Sequence, residues 1–244
     1  MKIAVLSDIH GNLLALDAVI ADAEARGVDL MVNLGDICSG PLFPSETADR
    51  LIALDLPTIA GNHERQVLTL PPDRMGPSDR FTAEALRLDQ RDWLASLPAT
   101  LRLNDDVLLV HGTPDSDLIY FMETVTSDGL RAATPEEIES RAGGADAAVI
   151  LCGHTHIPRV ANLADGRLVV NPGSVGLPAY DDVHPYPHVV ETGSPHARYA
   201  IVSDTDGGWA AELLTVDYDW GRAADVATAN GRDDWARALR TGSV

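Results

Sequence analysis

Only two cysteines, Cys38 and Cys152, occur in 244 residues. That is too few to staple a fold and points to a reducing compartment. No run approaches the roughly 18 apolar residues of a membrane span, so no membrane partner is expected. The opening Met1-Lys2-Ile3-Ala4-Val5-Leu6-Ser7-Asp8 turns acidic too early for a secretory signal core, and the expected location is cytoplasmic. Basic residues are scarce: Lys plus Arg number 18 against 37 Asp plus Glu, a formal charge of −19. Such a surface repels polyanions, which argues against duplex nucleic acid as a partner. What is present is ordinary for a globular chain, 45% hydrophobic and 23% charged, which excludes wholesale disorder, collagen and coiled coil. Neither a repeat nor a linker divides it, so residues 1–244 are expected to form a single domain.

The first 60 residues read as β-α units. Lys2–Ser7 and Asp29–Leu34 are apolar runs of strand length, and Pro57–Ala60 is a third short strand. Asn12–Arg26 has helical spacing and stops at Gly27; Ser45–Asp55 is a second helix after Pro44. Alternation of this kind implies parallel pairing with right-handed crossovers. Residues 71–80 read as loop and 81–97 as one helix. A hairpin is expected over Leu101–Leu103 and Val107–Val110, a helix near Pro135–Arg141, and a strand over Ala147–Leu151. Val160–Leu163 and Arg167–Val170 form a further hairpin, Arg198–Ser203 pairs with Trp209–Val216, and the last 28 residues read as helical. Two segments, 113–133 and 176–198, lack a clear period and are expected as cap-like loops. The change from α/β to antiparallel signals suggests two packed sheets with outer helices.

Five short segments place metal-type ligands just past the carboxyl end of an apolar strand: Asp8-Ile9-His10, Gly35-Asp36, Asn62-His63, His111-Gly112 and His154-Thr155-His156. Ligands of open α/β sheets bind at that end. Side chains alternate along extended chain, so Asp8 and His10 can point the same way, as can His154 and His156. Taken singly, each has a plain structural explanation: a capping Asp in a turn, a Gly-Asp turn, a helix cap, a half-buried imidazole. Taken jointly they do not, because five of the eight histidines fall in these segments and two imidazoles in His-x-His favour a metal.

The order Asp-x-His, Gly-Asp, Gly-Asn-His-Glu, His-Gly, Gly-His-Thr-His resembles the calcineurin-like metallophosphoesterase superfamily. It runs from Met1 to about Ser174, where Asn171-Pro172-Gly173-Ser174 resembles the small bacterial phosphodiesterase branch. The resemblance implies an α/β fold of two facing mixed β-sheets flanked by helices, a four-layer αββα sandwich. It also implies a dinuclear site. Asp8, His10 and His156 would hold one metal; Asn62, His111 and His154 the other; Asp36 would bridge both. His63 would act at the leaving group rather than as a ligand, and Asn12 is a lesser positioning candidate. The implied reaction is hydrolysis of a phosphodiester or phosphomonoester by hydroxide formed on the metals.

Imidazole and oxygen donors without thiolate suit Mn first, with Fe, Zn, Ni or Co as alternatives. Two divalent ions outweigh Asp8 and Asp36, so a phosphoryl group is attracted locally despite the acidic chain. Protein Ser/Thr phosphatases and dinucleoside-polyphosphate hydrolases of the superfamily carry an arginine after Gly-Asp. Here the stretch is Ile37-Cys38-Ser39-Gly40, which favours a small phosphorylated substrate, a nucleotide among them. Tyr120, Phe121, Tyr180 and Tyr186 are candidates for stacking on a base; His184, His188, His196 and Arg198 for meeting a second phosphate. A non-catalytic scaffold with this fold is the alternative of a different class. Oligomeric state is open.

Overall fold

The computed structural model describes residues 1–244. Along the chain run β1 (Lys2–Leu6), α1 (Leu13–Ala25), β2 (Leu30–Asn33), α2 (Pro44–Leu54), α3 (Asn62–Thr69), α4 (Pro77–Ala85), α5 (Leu88–Ser96), β3 (Thr100–Arg102), β4 (Val107–Val110), β5 (Glu123–Thr126), β6 (Gly129–Ala132), α6 (Pro135–Ala142), β7 (Val149–Leu151), β8 (Arg159–Asn162), β9 (Leu168–Asn171), β10 (Ala179–Asp182), β11 (His188–Glu191), β12 (Ala197–Thr205), β13 (Gly208–Val216), α7 (Trp220–Ala229) and α8 (Asp233–Thr241). No helix is long and apolar enough to cross a membrane.

Two mixed sheets face each other. One has strand order β13-β12-β1-β2 and the other β3-β4-β7-β9-β8. Strands β1 and β2 are parallel, as are β4, β7 and β9, while β12 runs antiparallel to β1 and β13, β3 to β4, and β8 to β9. Alternation along each strand decides the layers. Ile3, Val5, Val32 and Val202 of the first sheet meet Val107, Leu109, Leu151 and Val170 of the second in a buried layer between them. The opposite faces are covered by helices. Ala4, Leu6 and Ile201 pack on Leu16, Val19 and Ile20 of α1; Ile150 and Val169 pack with Ile138 of α6. This is the four-layer αββα arrangement. The α7–α8 pair buries Trp235 and Leu239 against Leu42, Leu177 and Ala179.

Several segments differ from the sequence reading. Pro57–Ala60 contributes a single parallel bridge, Asn33 to Thr58, rather than a strand. The expected helix over 81–97 is two helices. Leu86 and Arg87 are extended between them, because Leu86 turns into the core and Gln90 caps the Arg87 N–H at 3.0 Å. Helix α4 starts inside the expected loop 71–80, at Pro77 after Gly76; proline there fills the first helical position rather than breaking a helix. The two cap-like segments fold as two-stranded hairpins, β5–β6 and β10–β11. Their strands of four residues are too short to show a period. Hairpin strands β6 and β11 lie side by side.

Candidate metal centre

All seven candidate ligands and His63 converge where the parallel strands end. The backbone there departs from the ordinary. Six non-glycine residues have positive φ: Asp8, His10, Asp36, Asp55, His154 and His156. Asp55 is merely the left-handed cap of α2; the other five are candidate ligands. Left-handed backbone at a non-glycine residue costs of order 1–3 kcal/mol and persists only where its surroundings enforce it. They do so here. Asp8 N–H donates to Gly35 O at 3.0 Å, His10 N–H to Asp36 O at 3.0 Å, and Gly176 N–H to Asp8 O at 3.0 Å. Glycine is needed where loops touch: a Cβ on Gly61 would strike Asp36, and one on Gly153 would strike Ser7 and Asp8.

Two clusters of ligand atoms form, Asp8–His10–His156 and Asp36–His111–His154, each within 4.8 Å of one another. Nδ1 of His10 donates to Ser39 O and Nδ1 of His156 to Leu177 O, both at 2.7 Å. A carbonyl only accepts, so both Nε2 atoms present lone pairs when the rings are neutral. Those two atoms face each other at 3.1 Å, an arrangement that calls for positive charge between them. Asp8 Oδ1, 3.4 Å from His156 Nε2, has no hydrogen-bond partner although buried. In the second cluster His111 donates Nδ1–H to Leu34 O at 2.8 Å. Its Nε2 points at Asp36 Oδ2 (3.1 Å) and Asn62 Oδ1 (3.0 Å). His154 Nε2–H donates to Leu118 O at 3.2 Å, leaving Nδ1 as the free lone pair. Every imidazole therefore has one nitrogen fixed by a carbonyl and the other turned inward, the usual orientation of metal-binding histidine. The donor set fits divalent cations.

The electrostatics agree. Burial holds His10 down to about 4, with His156 adding to the effect; burial and the neighbouring His111 likewise hold His154 near 4. For His111, burial opposes the charged form, yet the Asp36 carboxylate and its hydrogen bond raise the ring to about 10. Asp36 attracts positive charge strongly. Burial disfavours its ionised form, but His111 and His63 hold the carboxyl well below its usual range.

His63 is no member of either cluster. Its N–H donates to Asp36 Oδ1 at 2.9 Å, and its Nδ1 pairs with Asp79 Oδ1 at 2.7 Å. Burial works against the imidazolium, but Asp36 and the Asp79 hydrogen bond outweigh it and raise the ring to about 9. Its ring centroid lies 5.5 Å from that of His10.

Two supporting carboxylates escaped the sequence reading. Glu64 accepts from the backbone N–H of Asp36, Ile37 and Gly61, each at 2.8 Å; its signal was a Glu three residues into a helix after Gly61, the capping-box spacing. Asp79 also accepts from Ser39 Oγ at 2.6 Å. It sits in a proline-rich stretch read as loop, and nothing in the sequence marks it. The Asn171-Pro172-Gly173-Ser174 segment braces the loops: Asn171 donates to Gly153 O at 2.7 Å and Ser174 to Asp8 O at 2.7 Å. Asn12 caps α1 and bonds Gly176 O; it belongs to neither cluster. Cys38 and Cys152 are buried in apolar layers, and burial pushes both thiols up.

The clusters open into a cleft of about 1580 Å³. Of the residues expected to meet the rest of a substrate, Tyr120, Tyr180 and His184 line it. Tyr120 lies edge-on to His154 at 4.9 Å and Tyr180 edge-on to His156 at 4.7 Å. Their hydroxyls are 2.7 Å apart, and Tyr120 also meets His188 Nε2 at 3.0 Å. The other five do not line it, His188 among them although it bonds Tyr120. Phe121 is wholly buried beneath α6. His196 pairs with Asp217 at 3.0 Å, and Arg198 is tied to Ser194 and His196; neither lines the cleft. Tyr186 is an exposed side chain of the β10–β11 loop.

Fold and site together define a metallophosphoesterase scaffold, and comparison with known proteins agrees. The calcineurin-like phosphoesterase superfamily domain matches residues 1–193, and the chain belongs to that family. An uncharacterized protein of Methanocaldococcus jannaschii is 28% identical over 255 residues, spanning 96% of this chain and 94% of its own. A metallophosphoesterase from Sphaerobacter thermophilus superposes with a TM-score of 0.76 at 25% identity, covering 98% of both chains. A hypothetical protein from Pyrococcus horikoshii shares the fold at the same TM-score and 20% identity, over 99% of this chain and 98% of the other.

Proposed function

We propose that this chain is a dinuclear-metal-dependent phosphoesterase acting on a small phosphodiester or phosphomonoester. The observation that carries the reading is the inward-facing pair of His10 and His156 nitrogens beside the unpartnered Asp8 oxygen, repeated in kind by Asp36, His111 and His154. Asp8, His10 and His156 would hold one cation and Asn62, His111 and His154 the other, with Asp36 placed to bridge. Such a pair supplies Lewis acidity and a water acidic enough to attack phosphorus near neutral pH.

The remaining work belongs to the chain's own groups. Glu64 fixes the backbone of Asp36 and Ile37, so the bridging carboxylate stays in place. His63, oriented by Asp79 through Nδ1, presents Nε2–H to the departing oxygen and donates its proton there. Tyr120 and Tyr180 hold the rings of His154 and His156 edge-on and wall off one side of the cleft. Manganese is the first choice of metal, with Fe, Co, Ni or Zn next, because both thiols are confined to apolar layers and the donors are imidazole and oxygen. The two free buried thiols also suit a cytoplasmic setting.

Bis(p-nitrophenyl) phosphate tests the reading. The chain supplemented with Mn is expected to release p-nitrophenol and to lose that activity on chelation. A folded, metal-free chain that stays silent when Mn is supplied contradicts it and favours a scaffold.

A further inference from the structure

Resting on the reading above, the geometry points to an anion subsite on the leaving-group side of the cleft. We propose that the favoured substrate is a phosphodiester whose departing alcohol carries a second negative group, received by Arg74 and Arg237 with Arg232 behind them.

The direction of departure comes from His63. Its partner Asp79 directly follows Ser78, whose Oγ accepts from Arg232 Nη1 at 2.8 Å. The proton donor and this guanidinium are thus anchored to consecutive residues of α4. A row of rings gives the same placement: His10 touches His63 at 5.5 Å and Trp235 at 6.0 Å, and Arg232 lies over Trp235 at 5.5 Å. Tyr180 and Tyr120 approach from other ligands, His156 and His154.

Charge follows the same division. Arg74, Arg232 and Arg237 line the cleft on one side; the hairpin side offers Leu118, Ile119, Val183, Val189, Asp181 and Asp182, and its one guanidinium, Arg141, is taken by the Phe121 and Glu123 carbonyls and Thr124. Arg232 is neutralised by Asp234 at 2.6 Å. Arg74 and Arg237 are exposed and enter no ion pair or side-chain hydrogen bond, in a chain with twice as many acids as bases. Among the other cleft acids Asp79 is taken by His63 and Glu123 by Arg159. Two free guanidiniums of the same cleft, Arg74 just ahead of α4 and Arg237 on α8 with Trp235, therefore face solvent where a second anion can reach them. In the reaction the water oxygen bonds to phosphorus and the phosphorus–oxygen bond to the anionic alcohol breaks. Its electron pair stays on that oxygen with the His63 proton, and the proton shed by water passes to solvent.

The test compares diphenyl phosphate with phenyl 4-phosphonophenyl phosphate on the Mn-loaded chain. The second substrate is expected to win by about tenfold or more in kcat/KM, the size of one charge-assisted contact, yielding phenyl phosphate and 4-hydroxyphenylphosphonate. Arg74→Gln and Arg237→Gln are expected to shrink that ratio, and Arg222→Gln, outside the cleft on α7, to leave it alone. Calorimetry of 4-hydroxyphenylphosphonate with the chelator-treated chain reads the subsite without turnover; the double glutamine variant is expected to weaken binding about tenfold or more. Turnover of both diesters with no preference, or phenol as the departing alcohol, overturns the subsite alone. Silence on both, with bis(p-nitrophenyl) phosphate also intact, overturns the metal reading beneath it.

Discussion

The layer between the two sheets and the bowl at their carboxyl ends are built by the same strands, and they obey opposite rules. Between the sheets Ile3, Val5, Leu109 and Leu151 lie on extended backbone among other aliphatics, with no polar atom to satisfy. Two or three residues beyond each strand the chain turns left-handed at Asp8, Asp36 and His154 and buries carboxylates and imidazoles instead. The first region supplies stability that the second spends, since strained backbone and a partnerless Asp8 oxygen both cost free energy.

That contrast can be broken at its strongest point first. Asp36→Ala is expected to abolish hydrolysis and bound metal while the fold survives; a variant that keeps two metals contradicts the bridging role. His63→Ala is expected to lower turnover by about 10²–10⁴ with metal content intact, and full activity would refute the proton-donor assignment. Leu109→Ala, in the other region, is expected to cost about 2–5 kcal/mol in denaturant unfolding while metal stoichiometry holds. Loss of metal without loss of stability there would erase the distinction between the regions.

Asp79→Asn sharpens the comparison, because it touches no candidate ligand. A drop of about 10- to 100-fold in kcat is expected, as for other orienting partners, with metal content unchanged. The smallest effect belongs to the surface. Asp22, bonded to Tyr199 and Arg26, has its carboxyl held below the usual range; burial opposes this, but those two hydrogen bonds prevail. Its contribution is therefore present above the ordinary carboxylate pKa and lost as pH falls through the lowered one. Asp22→Asn is expected to cost under about 1 kcal/mol at pH 7.

The ligand loops were legible in the sequence because each follows an apolar run whose end is easily read, which puts Asp8, Asp36, His111 and His154 on one rim. The αββα layering came through the resemblance, with the apolar runs of strands such as Val107–Val110 in agreement. What could not be read depends on contacts far apart in sequence. Asp79 acts only because α4 returns to His63. Phe121 and Tyr120 are neighbours with opposite fates, one in the core and one in the cleft, and no local period separates them. The break at Leu86–Arg87 likewise comes from a side chain seeking the core rather than from any glycine or proline.

The most direct measurement is an anomalous-scattering map from crystals grown with Mn. Two peaks are predicted, one among Asp8, His10 and His156 and the other among Asn62, His111 and His154, with Asp36 between them. Featureless density at both positions in metal-replete crystals would contradict the account.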